Sequence, residues 1–71
     1  MNKNQIGLNA GIVWRTMSYR YSWTINELKK QTNLSDAELW SAIGWLARES
    51  QVEFDENTEE MRIYLSHISF F

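Results

Sequence analysis

Two helix-start signals stand eleven residues apart in this chain, and they constrain its middle more than anything else does. Thr24-Ile25-Asn26-Glu27 has a threonine suited to an N-cap and a glutamate three residues on. In such a capping box the hydroxyl accepts from the backbone N–H of the third residue. The carboxylate in turn accepts from the N–H of the cap. Ser35-Asp36-Ala37-Glu38 repeats the arrangement. Trp23 with Leu28, and Leu34 with Leu39, stand where a hydrophobic staple sets the entry of each helix. Asp36 and Glu38 also suit the positive end of a helix dipole. The spacing predicts a short helix over residues 25–32, a turn at Asn33-Leu34-Ser35, and a longer helix over 36–49. A helix-turn-helix over residues 24–50 follows.

The flanks complete a fold. Asn2, with Gln5 three residues on, can cap a helix over residues 2–18. Its face would be Ile6, Ala10, Val13, Trp14 and Met17. Leu8, Ile12 and Tyr19 form a second apolar stripe and predict burial on more than one side. Gly7 and Gly11 each cost a helix about 1 kcal/mol relative to alanine, and they open a smooth patch where another element can approach. After Ser50 the period becomes two. Val52 and Phe54 alternate with Gln51, Glu53 and Asp55, and Met61, Ile63 and Leu65 alternate with Arg62 and Tyr64. The pattern predicts a hairpin with one apolar face, with Arg62 and Tyr64 on its outer face pairing with Glu53, and 21–23 available as a third strand. The expected fold class is α+β: a winged helix-turn-helix of three helices plus a C-terminal β-hairpin wing. Residues 1–65 form the winged helix domain and 66–71 a C-terminal tail, whose Phe70 and Phe71 would cover the core edge, join a dimer or belong to a disordered end.

The residues also resemble a family of short, uncharacterised bacterial winged helix-turn-helix proteins. The resemblance rests on Asn4-Gln5-Ile6-Gly7, Ala10-Gly11, Val13-Trp14, Trp23-Thr24-Ile25 and Glu27-Leu28. It continues through Leu34-Ser35-Asp36, Gly44-Trp45-Leu46-Ala47-Arg48-Glu49 and Glu53-Phe54. Ser50 departs from the pattern, where such proteins commonly have glycine before the wing. The resemblance implies the fold and a DNA-binding role inherited from the superfamily. It implies no particular target.

In this fold the second helix of the unit enters the major groove. At 100° per residue, Leu39, Ala42, Ile43 and Leu46 form its buried face. Ala37, Ser41, Gly44 and Arg48 form the outer face, with Trp40 and Trp45 on either side. Ser41 and Arg48 are the candidates for reading bases. Lys29 and Lys30 on the preceding helix are the candidates for phosphate contacts, with Arg15 and Arg20 able to join them. The alternative for this patch is an ordinary solvated helix face.

The charge distribution opposes a reader. Residues 1–34 carry five cations and one acid, a net +4, whereas 35–71 carry two cations and eight acids, a net −6. Asp55, Glu56, Glu59 and Glu60 crowd the tip of the wing. Two expectations therefore stand side by side. One is a DNA-binding module of the kind used in transcription regulation, with double-stranded DNA as partner. The other is a protein-interaction or homodimerisation module that has lost DNA binding, with Trp40, Gly44 and Trp45 as its interface. Against the second stands the option that either tryptophan folds onto the first helix, where Gly7 and Gly11 leave room.

Catalysis is not expected. The chain has no cysteine and no Gly-rich phosphate loop, and its single histidine, His67, has no partner nearby in sequence. No cofactor and no metal are implied, since the acids of the wing match no ligand spacing. A polar N-terminus without an apolar run, and no stretch near the ~20 apolar residues of a membrane span, lead to the expectation of a cytoplasmic protein without membrane contact. So short a chain buries a small core, and without disulfides or metal the remaining supplement is oligomerisation.

Overall fold

The computed structural model describes residues 1–66. Along the chain lie α1 (Lys3–Met17), β1 (Trp23–Thr24), α2 (Ile25–Thr32), α3 (Asp36–Arg48), β2 (Val52–Asp55) and β3 (Arg62–Leu65). Three helices and a three-stranded antiparallel sheet, ordered β1-β3-β2, make the expected α+β winged helix.

Local hydrogen bonds start each helix where the sequence places it. The Asn2 side chain accepts from the Gln5 N–H at 2.8 Å. Both capping boxes close. Thr24 Oγ1 accepts from Glu27 N–H at 3.2 Å, and Glu27 Oε1 accepts from Thr24 N–H at 2.8 Å. Ser35 and Glu38 make the same two bonds at 3.2 and 2.9 Å. Such a cap stabilises a helix by about 1 kcal/mol. Asn33 ends α2 in the left-handed region at φ 59°, and its N–H donates to the Lys29 carbonyl.

The end of α3 explains the departure at Ser50. Gln51 N–H donates to Leu46 O at 2.8 Å and Ser50 N–H to Ala47 O at 3.0 Å, the bonding of a Schellman motif. That motif needs a left-handed residue, and Ser50 supplies it at φ 58°. A serine there carries the Cβ strain that glycine avoids. Ser50→Gly is expected to raise stability by about 0.5–1 kcal/mol, because strain relief outweighs the added freedom of the unfolded chain. Urea denaturation measures it, and an unchanged or lower midpoint would refute it.

The core sits between the helices and one face of the sheet. Val13 and Met17 from α1, Leu28 from α2, Leu39 and Ile43 from α3, and Ile63 from β3 are its largest fully buried side chains. Ile63 stands opposite Trp23 on one side and Phe54 on the other, so the last strand of the chain is the central one. Trp23, expected at the end of the third strand, instead begins it. Tyr21 stays outside and stacks on Tyr64, with ring centroids 5.3 Å apart.

Three expectations need correction. The second stripe of α1 is buried only in part: Ile12 is half-buried, but Leu8 is 68% and Tyr19 86% exposed, and Trp14, assigned to the inner face, is 42% exposed. The rest of the chain packs against one side of α1 only, so the arc holding Leu8 looks away from it. Asn9 is buried instead, and its amide nitrogen has no hydrogen-bond partner among the described residues. Second, among the described residues no element occupies the glycine patch. A Cβ added at Gly7 would meet nothing within 4 Å, and one at Gly11 only the Arg15 guanidinium at 3.5 Å. Third, Tyr64 does stand opposite Glu53, but Arg62 does not pair with it. Arg62 Nε donates to Ser22 Oγ at 2.9 Å, and its Nη2 lies 3.6 Å from Glu27, because the register sets it beside β1. His67, Phe70 and Phe71 lie outside the described residues.

Candidate interface on the third helix

The reading unit is clamped before anything docks on it. The Lys29 ammonium lies 2.6 Å from an Asp36 carboxylate oxygen, tying the last turn of α2 to the first of α3. Glu27 ties the other end of α2. Its Oε1 lies 2.8 Å from Arg20, which also sits over the Trp23 ring at 4.1 Å. The Thr24 N–H bond, then the Arg20 and Arg62 guanidinium groups, hold the Glu27 carboxyl below its ordinary value. A capping residue thus doubles as the centre of a charge cluster joining α2, β3 and the segment after α1.

These ion pairs draw on the cations that DNA would need. Of the proposed phosphate contacts, Lys29 is half-buried and paired with Asp36. Lys30 is exposed and shares with Arg20 a cleft of about 400 Å³, lined also by Tyr19, Trp23 and Gln31. Arg15 does not join them and faces a different groove. Of the proposed base readers, Arg48 is exposed and Ser41 half-buried. The tip of the wing carries no positive charge. The Asp55 side chain accepts from the Asn57 N–H at 2.9 Å and shapes the turn, while Glu56, Glu59 and Glu60 face solvent. Among the described residues no cluster of three His, Cys, Asp or Glu side chains converges to hold a metal.

The outer face of α3 is open. Trp40 is 46% and Trp45 39% exposed, and a Cβ at Gly44 between them would meet nothing within 4 Å. Trp45 also leans toward the first helix. It lines a groove of about 490 Å³ with Gly7, Gly11 and Trp14, yet nothing in that groove covers it. Part of this groove was legible in the sequence, as the smooth patch of Gly7 and Gly11 and the option that Trp45 folds toward it; that Trp14 stays outside as its other wall was not.

Among the described residues no helix is long and apolar enough to cross a membrane. No curated protein matches the chain. A similar solved structure is the solution NMR structure of protein BT2368 from Bacteroides thetaiotaomicron. It is 37% identical, with a TM-score of 0.81, over 92% of this chain and 79% of that one. The winged helix-turn-helix domain family DUF2582 matches residues 1–65, from the cap of α1 to the end of β3. The paired capping boxes, the wing on a central last strand and this match agree: the chain belongs to the winged helix-turn-helix domain family DUF2582.

Proposed function

We propose that this winged helix is a protein-interaction module that presents the outer face of α3 to a partner protein. The observation that carries the reading is the pair of half-exposed tryptophans, Trp40 and Trp45, flanking the open Gly44. Exposed tryptophans beside a hollow are typical anchors of protein interfaces. The electrostatics support the same reading. Lys29 and Arg20 are engaged within the domain, and the wing carries acids where phosphates would approach. Like charge against a duplex weakens the contact that supplies nearly all non-specific affinity.

The second reading is a DNA-binding module serving transcription regulation. Lys30 and Arg48, both exposed on the helix-turn-helix, favour it. Titration of the labelled protein with mixed-sequence duplex DNA at about 50 mM salt separates the two, because phosphate contacts are strong there. The interaction reading expects backbone amides over residues 29–48 to stay in place. Shifts in that segment, with affinity falling steeply as salt rises, overturn it in favour of DNA.

A further inference from the structure

The groove between α1 and α3 adjoins the outer face of α3 and shares Trp45 with it, but does not include Trp40. Gly7 and Gly11 contribute to it from α1, one helical turn apart. Trp14 and Trp45 line it from either helix. Both tryptophans are about two-fifths exposed, and among the described residues nothing lies within 4 Å of a Cβ built at Gly7. Two helical glycines weaken α1, yet among the described residues a Cβ would meet nothing at Gly7 and only the Arg15 guanidinium at Gly11. The charges of the groove complete its description. Arg15 enters from α1 and Glu49 from the end of α3, and neither is in an ion pair among the described residues.

We infer that the occupant of this groove is a second copy of the same chain, related by a two-fold axis. A two-fold contact sets one patch against itself, so every knob needs its hollow and every charge its opposite within a single patch. This groove holds both. Trp14 is a knob, and Gly11 one turn back and Gly7 two turns back are positions without side chains. Arg15 on one wall and Glu49 on the other become cross-subunit pairs when the patch is rotated onto itself. Two α1 helices meeting at their glycines approach more closely than helices bearing larger residues, which lets Trp14 of each copy cover the Gly7 region of its partner. The pairing also supplies the oligomeric supplement that a small core without disulfides calls for. The inference deepens the interaction reading by naming one partner, but it leaves Trp40 and Gly44 free on the outer face.

Sedimentation equilibrium of the full chain tests it. The wild type is expected to dimerise at micromolar to submillimolar concentration, with a melting temperature that rises with protein concentration. Gly7→Gln separates interface from folding, because the site is open and glutamine favours helix over glycine. The variant is expected to melt no lower than the wild type when both are dilute, yet to dimerise at least about tenfold more weakly. Arg15→Glu and Glu49→Arg are each expected to weaken the dimer about tenfold. The double swap is expected to restore it to within about threefold. A wild type that stays monomeric at about 1 mM overturns the inference, as does a Gly7→Gln dimer of unchanged affinity or a double swap no tighter than the singles. Duplex binding by a dimer would sink the interaction reading alone, and a monomer that ignores duplex would sink this inference alone.

Discussion

Trp23→Ala is expected to abolish cooperative folding at room temperature. Trp23 begins the first strand, precedes the Thr24 cap, and is 5% exposed. Its indole N–H donates to the Met17 carbonyl at 3.2 Å, closing the end of α1, and Arg20 covers its ring. On the sheet it faces Ile63. One side chain thus joins α1, the sheet and the start of the helix-turn-helix. Truncating a buried tryptophan costs about 3–5 kcal/mol. A small domain has about 5 kcal/mol in total. Circular dichroism should show no sigmoidal melt. Trp23→Phe keeps most of the packing and loses the hydrogen bond, so it is expected to fold with a loss of about 1–2 kcal/mol. A Trp23→Ala protein that melts within a few degrees of the wild type would remove Trp23 from this central role.

Ile63→Ala is expected to have the next largest effect, about 2–4 kcal/mol. Ile63 is fully buried and lies on the central strand, with Trp23 and Phe54 on its two sides. Deleting its methyl groups opens a gap that neither neighbouring strand can close alone. Tyr64, one residue on, points to the other face and stacks on the exposed Tyr21. Tyr64→Ala is therefore expected to cost no more than about 1 kcal/mol. Chemical denaturation of the two variants gives the contrast, and equal losses would contradict the register of β3.

The candidate interface was half legible. The outer face of α3 follows from its period alone, since Leu39, Ala42, Ile43 and Leu46 are all buried. That left Gly44, Trp40 and Trp45 outside, and all three are exposed. The sequence offered only as an alternative that Trp45 turns toward Gly7 and Gly11, and it did not show that Trp14 forms the other wall of an open groove. Those residues lie more than thirty positions away, and periodicity says nothing about which two helices are neighbours. The ion pairs within the basic patch were hidden for a similar reason. Arg20 and Lys29 looked free because their acids, Glu27 and Asp36, were already assigned to helix starts, and each serves both roles.

The helix-turn-helix was written in the sequence by itself. A capping box is closed by residues three apart on one stretch of backbone, so its geometry is settled locally, and both boxes formed as read. The alternation after Ser50 likewise determined the hairpin. Tertiary structure decided the rest. It chose which arc of α1 to bury and left Leu8, Trp14 and Tyr19 outside, because burial depends on where neighbouring elements approach. It made β3 the central strand and drew Arg62 to Glu27 and Ser22. It also left a glycine-floored, tryptophan-walled groove open beside the reading unit. Hydrogen bonds between near neighbours specify where helices begin; only the packing of distant ones specifies which surfaces remain for a partner.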